Sequence, residues 1–468
     1  MNKPIAHSVD KAVDGTQQRI TDYACGLNYA SLPTEVIDAA KVRIIDTLGA
    51  LIGGFFGDPS CVSRNLAAQM PSPDGATIIG TRMKSTPDMA AFVNATTARY
   101  VEMNDTYHWP GSYQGHPSDV VMPILAAAEH AQVNGREFIN GIVLGYEVFL
   151  RVCDVFHNRG FDNANFSCLG TAVAAGKLMG LSAAQLSHCV SMAVVPNNIL
   201  RQVRTGHLSM FKAASAGQGG RAGVFAAMLA RAGMEGPHLP FEGKAGWFEH
   251  VARERLQLDA WGGRGEPFKI LYSQIKNRPC PGVATSCVLA AEKVAPVRNI
   301  SDVTQVTVEI YKYAKDLLGT GEHHWNPESR ESADHSAPYL VAATLIDGTV
   351  TPRSYNDARL WNPELRALIK KVEIVENREF TKAYEKMPQE HRTRVTVVTA
   401  NGGRLVGESG GDKDDLASPR SDTQIAEKFR GLTEDFLGAK PVNAILDRLW
   451  HLEDMRNVAA IPPAFVIC

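Results

Sequence analysis

The spacing of apolar residues changes twice along this 468-residue chain. From about Gln17 to Ala260, apolar positions recur every three or four residues, which places them on one face of an α-helix. The segments with this spacing are 34–53, 88–102, 118–133, 137–154, 169–178, 183–194 and 213–233. Almost no strand-like alternation occurs there, so this part is predicted to be helical.

A different pattern runs from about Lys269 to Arg404. Apolar and polar residues alternate at 306–310 and 372–374, and the run 394–399 leads through Asn-Gly-Gly at 401–403 into 404–406. Alternation predicts strands, and the Asn-Gly-Gly turn predicts a β-hairpin. Helical segments at 281–295 and 335–346 interrupt the strands. This part is therefore predicted to be an α+β insert.

The helical period returns near the C-terminus, at 423–436 and 442–450, after a polar stretch at Glu408–Asp422 that has the composition of a linker or mobile loop. We expect the last helices to rejoin the first part. The predicted domains are a helical domain at 1–268, an α+β lid domain at 269–408 and a C-terminal part of the helical domain at 409–468. The fold class is mainly α with an α+β insert.

Composition excludes several classes of partner. The net charge of −2 and the isoelectric point near 6.7 give no basic field for nucleic acid or an anionic membrane. No apolar run approaches the ~20 residues of a membrane span, and the N-terminal segment 1–19 is polar, so we expect a cytoplasmic protein. The eight cysteines form no Cys-x-x-Cys pair, which favours buried free thiols over disulfides or a zinc site. Cys280 is a weaker candidate for a catalytic thiol.

Two polar motifs lie close together at 104–106 and 115–119, with the sequences Asn-Asp-Thr and Gly-His-Pro-Ser-Asp. Ser118 is predicted to cap the helix that follows, with Asp119 in its first turn. His116 then precedes a helix N-terminus, where the dipole attracts an anion and disfavours a protonated imidazole. A neutral histidine beside a carboxylate is suited to acid/base catalysis. The alternative is a turn whose histidine is bonded to a backbone carbonyl.

Further cations follow this region. Arg201 and Arg204 are three residues apart and thus on one face of a helix or turn, and Lys212 precedes a helix rich in small residues. Together they suit a substrate with several carboxylates, although a solvated basic face has the same pattern. Lys276 before a Pro-Cys turn and Tyr339 at a helix start are weaker signals, compatible with a solvated lysine and a core tyrosine.

The order of these motifs along nearly the whole chain resembles the MmgE/PrpD family, which contains 2-methylcitrate dehydratase, cis-aconitate decarboxylase and related isomerases. The resemblance implies a large all-helical domain from both chain ends, a smaller α+β lid domain, a homodimer, an active-site cleft between the domains and no metal or organic cofactor. It assigns catalytic positions to Glu102, Thr106, His116, Lys212, Lys276 and Tyr339. The substrate-binding positions that accompany them are Arg201, Arg204, Asp105, Asp162 and His335.

Three features differ from the related decarboxylases. Glu102 stands where they have an aspartate, Asp162 stands where they have a histidine, and the loop between Thr106 and His116 is longer. These differences argue against cis-aconitate decarboxylase. The Leu-Arg-x-x-Arg element at 200–204 and the Gly-His-Pro-Ser-Asp form at 115–119 resemble the methylcitrate dehydratase branch. The expected reaction is loss of water from a hydroxylated di- or tricarboxylate, with His116 as base and Tyr339 or a lysine as acid. A decarboxylase, an epimerase or isomerase, and a carboxylate-binding homologue without turnover remain alternatives.

Overall fold

A computed structural model describes residues 12–109, 111–386, 389–410 and 420–467. Residues 1–11 of the polar N-terminal segment and residues 411–419 of the predicted linker lie outside these ranges, so the predictions for them stay predictions. Within the described ranges, no helix combines the length and the apolar character needed to span a membrane.

The first part of the chain is helical, as predicted. Its helices are α1 (Gly15–Gly26), α2 (Thr34–Gly53), α3 (Asp58–Ala67), α4 (Pro87–Tyr100), α5 (Val121–Ala131), α6 (Gly135–Val155), α7 (Ala164–Leu178), α8 (Ala183–Val194) and α9 (Phe211–Arg231). A small antiparallel pair, β1 (Pro71–Thr77) and β2 (Lys84–Ser85), was not expected. β1 contains Pro71, Pro73 and Gly75, and because proline and glycine are rare in strands, the sequence does not predict one here.

Small residues set the spacing of the central helices α7 and α9. A Cβ atom on Gly223 would lie 2.6 Å from the carbonyl oxygen of Cys168, and one on Gly219 would lie 2.4 Å from that of Ala164. Any larger side chain at either glycine would push the two helices apart. This close approach fixes the N-terminal end of α9, where Lys212 lies.

The second part is an α+β unit with its own hydrophobic core. Its helices are α10 (Thr285–Glu292), α11 (Lys312–Leu318), α12 (Glu322–Trp325), α13 (Arg330–Ala333), α14 (Ala337–Asp347), α15 (Asp357–Leu360), α16 (Pro363–Ile369) and α17 (Arg378–Tyr384). Its strands are β3 (Val303–Ile310), β4 (Val372–Glu376), β5 (Thr393–Thr399) and β6 (Arg404–Ser409). The predicted insert is thus present, although the short helices α11–α13 and α15–α17 had no clear sequence signal.

The four strands form one mixed sheet in the order β4-β3-β5-β6. β3 is parallel to β4 and antiparallel to β5, and β5 and β6 form the predicted hairpin, which closes at the pair Val398–Arg404. Gly402 adopts φ +81° in the turn, a conformation that glycine tolerates best. From Val306 to Ile310 alternate residues of β3 are buried, which explains the period of two in that part of the sequence.

The chain crosses from the first core to the second between Ile275 and Cys280, because these residues belong to different cores. That point follows the predicted start of the lid domain at 269 by several residues. The last two helices, α18 (Asp422–Leu437) and α19 (Ala439–Trp450), pack in the first core. The first core is therefore built from both ends of the chain, around the second.

A buried ion pair fastens α18 to the helical domain. Lys428 Nζ contacts Asp46 Oδ1 on α2 and donates to the carbonyl oxygen of Met103 at 2.7 Å. Both side chains of the ion pair are buried, and burial raises the pKa of Asp46 despite the nearby lysine. The pair connects the C-terminal part of the chain to the segment that leads into the Asn104–Asp119 region.

Replacing Lys428 by Ala would leave the Asp46 carboxylate buried without its cation. We expect the free energy of unfolding in urea to fall by about 3–5 kcal/mol. Lys312→Ala is the matched control, because its pair with Asp316 is exposed on both sides and its loss is expected to leave the free energy of unfolding nearly unchanged. A loss below about 1 kcal/mol in the Lys428 variant would contradict this account.

Candidate active site

A small cavity of about 60 Å³ lies where the two cores meet, and we refer to it as the inner cavity. The helical domain contributes predicted site residues to its walls, namely Glu102, Thr106, His116, Arg201 and Arg204. The second domain contributes Gly282, Leu317 and His335. Six of the eleven predicted site residues therefore line a single cavity.

Asp105 organises the loop that carries His116. Its Oδ1 accepts the backbone N–H of Ser118 at 2.9 Å, and its Oδ2 accepts the hydroxyl of Tyr146 at 3.0 Å. The prediction that Ser118 caps the helix is wrong: the helix begins as a 3₁₀ turn at Pro117, and the capping carboxylate comes from a residue thirteen positions earlier. Because each of its oxygens accepts a hydrogen bond from the surrounding fold, Asp105 positions the loop.

His116 is held as a neutral imidazole. Its Nδ1 lies 2.9 Å from the carbonyl oxygen of Asp105, so Nδ1 carries the proton and Nε2 carries the lone pair. Nε2 is 3.9 Å from Glu102 Oε1, beyond hydrogen-bond distance. Burial and the charges of Arg99 and Lys276 hold the pKa of His116 well below its ordinary value. A structural histidine would make the same hydrogen bond to a backbone carbonyl. Here that bond also leaves Nε2 of His116 unprotonated.

Glu102 is the centre of the charge cluster. Its carboxylate lies 2.7 Å from Arg99 Nη1, 2.9 Å from Lys276 Nζ and 3.3 Å from Lys212 Nζ. Burial raises the pKa of Glu102, but these three charges outweigh burial and hold the pKa well below its ordinary range. The backbone of Glu102 has φ +57°, a left-handed conformation that costs a non-glycine residue about 1–3 kcal/mol. A carboxylate held in this way is a poor base and a strong anchor for cations.

Lys212 joins this cluster to the second domain. Its Nζ lies 2.8 Å from Asp334 Oδ1 and 3.1 Å from His335 Nδ1, and the Nδ1 also contacts the Asp334 carboxylate closely. Burial and the Lys212 charge lower the pKa of His335. The ring lines the inner cavity, and Nε2 has no hydrogen-bond partner among the residues that the structure describes. His335 therefore offers a ring nitrogen backed by an ammonium group.

The two predicted arginines converge on one carboxylate. Arg204 Nε lies 2.8 Å from Asp162 Oδ2, and Arg201 Nη1 lies 3.7 Å from the same oxygen. Both belong to the 3₁₀ turn Arg201–Arg204, so they share a face as the spacing predicts. Asp162 is buried behind them and neutralises only one of the two charges. The pair keeps a net positive charge at the cavity wall, and Asp162 orients it.

Thr106 is paired with a residue that sequence reasoning missed. Its Oγ1 lies 2.8 Å from His108 Nε2, and burial lowers the pKa of His108 to about 3. The second domain approaches this pair through Gly282, where a Cβ atom would lie 2.7 Å from His108 Nε2. The Nδ1 of His108 is buried and has no hydrogen-bond partner within the described ranges. His108 and Thr106 thus form a neutral polar wall of the cavity.

Tyr339 does not reach the inner cavity. Its hydroxyl donates to the carbonyl oxygen of Ser354 at 2.6 Å, its ring packs against Tyr355, and burial raises its pKa to about 12. We therefore do not retain Tyr339 as the acid. Its contacts are those of a core tyrosine, which was the alternative interpretation of the sequence. Cys280 is a buried thiol with its pKa raised to about 12, which fits a structural residue. The seven described cysteines are free.

Arg99, Asp119 and Asp334 were not predicted as site residues. Arg99 is buried between Glu102 and Asp119. Its Nε lies 3.7 Å from Asp119 Oδ1. A single arginine within the Ala/Thr-rich helix α4 was the available signal, since such a residue must find a buried anion. Asp334 directly precedes His335, but nothing in the sequence places it beside Lys212, 122 positions away.

The cluster carries an excess of positive charge. Its cations are Arg99, Arg201, Arg204, Lys212 and Lys276, and its carboxylates are Glu102, Asp119, Asp162 and Asp334. Burial raises the pKa of Asp119 to about 7, so this fourth carboxylate is largely protonated below neutral pH. Among the described residues, no group of three or more histidine, cysteine or acidic side chains is arranged to hold a metal ion. The site suits an anionic substrate and proton transfer by histidine.

The fold and the site define a two-domain protein with an anion-attracting cavity at the domain junction. The chain belongs to the MmgE/PrpD family: the N-terminal domain of the family matches residues 18–258 and the C-terminal domain matches residues 279–452. This confirms the resemblance seen in the sequence.

Its relatives carry two different activities in their names. Human cis-aconitate decarboxylase is 24% identical, with 93% of this chain and 91% of that protein covered. The 2-methylcitrate dehydratase of Salmonella typhi is 24% identical, with 82% and 83% covered. The probable 2-methylcitrate dehydratase of Saccharomyces cerevisiae is also 24% identical, with 80% and 76% covered.

Asp119 provides a test of the buried cluster through the pH dependence of stability. Its pKa rises on folding from an ordinary 3.8 to about 7, so the folded protein binds the proton more tightly. Asp119 therefore lowers stability progressively as the pH rises from 4 to 7. We expect Asp119→Asn to have little effect at pH 4 and to raise the free energy of unfolding at pH 8, by at most about 4 kcal/mol at 1.36 kcal/mol per pH unit.

The measurement is urea unfolding of both proteins at pH 4, 6 and 8. Asp316→Asn, at an exposed ion pair, is the control and is expected to show no such trend. An effect of Asp119→Asn that does not depend on pH would show that the carboxylate keeps its ordinary pKa.

Proposed function

We propose that the protein eliminates water from a hydroxylated di- or tricarboxylate of the 2-methylcitrate type. The observation that carries the proposal is the presence in one cavity of a neutral imidazole with an unprotonated Nε2, at His116, and two guanidinium groups that share a single counterion, at Arg201 and Arg204. The first can remove a proton from carbon, and the second can bind the carboxylate that stabilises the resulting charge.

The arginines account for carboxylate binding. A proton on carbon next to a carboxylate is weakly acidic, so its removal needs cations on that carboxylate as charge develops. Arg204 is oriented by Asp162 and by a hydrogen bond from its Nη2 to Ser215 Oγ at 3.1 Å. A guanidinium fixed in this way needs little reorganisation during the reaction.

His116 is assigned as the base in place of Glu102. Both are close to the cavity, but the Glu102 carboxylate is bound by three cations and gains little from a further proton. The imidazole has no such partner on Nε2 and is neutral near pH 7. The carbon-bound proton would move to Nε2, and the carbonyl of Asp105 stabilises the imidazolium through Nδ1–H.

His335 and Lys212 form the acid in place of Tyr339. When the Lys212 ammonium donates to His335 Nδ1, the ring carries its proton on Nε2. That proton would pass to the departing hydroxyl while Lys212 gives a proton to Nδ1. One C–H and one C–O bond break, a C=C bond forms and water leaves. Asp334 accepts a hydrogen bond from Lys212, and once Lys212 has passed its proton to His335 Nδ1, that N–H donates to the Asp334 carboxylate.

The choice of dehydration over decarboxylation draws on the relatives and on Asp162. The human decarboxylase and the Salmonella typhi dehydratase have the same identity to this chain, 24%, so identity does not favour either reaction. The acid pair matters to a dehydratase because hydroxide is a poor leaving group. Asp162, placed where related decarboxylases have a histidine, orients the arginines and does not add a proton donor.

The proposal is tested by incubating chelator-treated protein with 2-methylcitrate, citrate and cis-aconitate in D2O and following the products by NMR. We expect 2-methylcitrate to give an unsaturated tricarboxylate without added metal. Release of CO2 from cis-aconitate without hydration would assign the decarboxylase reaction instead. Deuterium incorporation with a changed stereocentre and no water loss would assign an epimerase, and binding without any product would leave a carboxylate-binding protein.

His116→Ala separates the base from the rest of the site. We expect kcat to fall by about 10²- to 10⁴-fold, with KM changed less than about threefold, because the arginines still bind the substrate. His130→Ala is the matched control, since its Nδ1 also lies against a backbone carbonyl, that of Asp74 at 3.1 Å, outside the inner cavity. Near-normal turnover in the His116 variant would remove it as the base.

A further inference from the structure

A second cavity of about 270 Å³, the outer cavity, adjoins the inner one. The two share His108 and Gln114 as wall residues. The outer cavity is completed by Trp109 from the helical domain and by Tyr313 and Tyr384 from the second domain. It therefore lies at the same domain junction.

The inner cavity alone is too small for the proposed substrate. Its 60 Å³ compares with roughly 300–1,000 Å³ for typical small-molecule sites, whereas a single water needs about 10–15 Å³. The two cavities together reach the lower end of the range for ligands. A tricarboxylate that reacts at His116 would therefore extend past His108 and Gln114 into the outer cavity.

The walls of the outer cavity favour an uncharged, apolar group. Trp109, Tyr313 and Tyr384 supply aromatic surface, and Gln114 and Gln389 are the amides that line the cavity with them. The charged residues that line it, Arg159 and Glu385, are exposed and of opposite sign. Polar contact is available at the boundary between the cavities, where the buried His108 Nδ1 has no described partner.

We propose that the outer cavity is a subsite for an alkyl substituent longer than methyl on the substrate, so that the protein prefers 2-alkylcitrates with two to four carbons in the chain. The inference rests on the proposed dehydration. The loop between Thr106 and His116 supplies half of the residues that line this subsite. His108 would meet a carboxylate or hydroxyl at the boundary, with the alkyl group beyond it.

The test measures kcat/KM for citrate and its 2-methyl, 2-ethyl, 2-propyl and 2-butyl derivatives. Burial of each methylene is expected to raise kcat/KM about fourfold until the cavity is filled. Tyr313→Ala should lower the ratio of kcat/KM for the propyl compound to that for citrate at least about tenfold. Tyr272→Ala is the control: Tyr272 packs on Trp109 and is 37% exposed, close to the 39% of Tyr313, but lies outside the outer cavity.

Two results would overturn the subsite. One is a series in which kcat/KM does not rise with chain length; the other is a Tyr313 variant in which every substrate slows equally, which would make the outer cavity an access route. If no compound is dehydrated, the subsite is tested separately by measuring the affinity of 2-alkyltricarballylates by calorimetry. Tighter binding with chain length that is lost in Tyr313→Ala would keep the subsite although the reaction was wrong, and binding independent of length would reject it.

Discussion

The buried carboxylate of Glu102 holds together parts of the chain that are far apart in sequence. Arg99 reaches it from α4, Lys212 from the start of α9 and Lys276 from the crossover between the cores. Lys212 extends the network to Asp334 in the second domain. Burial of so many charges is unfavourable unless each has its partner, so the network stabilises one arrangement of the two domains and penalises others. The inner cavity exists because that arrangement leaves a gap beside it.

The same network decides the chemical roles at the site. Three cations make Glu102 an anchor, and burial together with the charges of Arg99 and Lys276 keeps His116 neutral. In the proposed reaction, a histidine and not a carboxylate is therefore the base. Their excess over the ionised carboxylates prepares the cavity for an anion before the substrate arrives, which is the arrangement expected of electrostatic catalysis. Asp105 and Asp334 serve by position, one by fixing the loop of His116 and the other by fixing Lys212 and His335. Activity and domain packing therefore depend on the same ion pairs.

The loop between Thr106 and His116 carries residues that line both cavities. The helices and the buried charges belong to the scaffold, whereas His108, Trp109 and Gln114 line cavities that face the second domain. Loops on a rigid scaffold can change without disturbing the core, which is why they are common carriers of substrate preference.

The sequence by itself determined the helical class, the α+β insert, the hairpin at 401–403 and most of the cationic residues, because periodicity, turn residues and charge type are local properties. It also placed Arg201 and Arg204 on one face. Only the tertiary structure decided that Asp105 caps the helix in place of Ser118, that the Tyr339 hydroxyl is engaged by Ser354 and that Asp334 stands behind Lys212. These outcomes depend on contacts between residues up to 122 positions apart, and no local pattern records which distant partner a buried polar group will find.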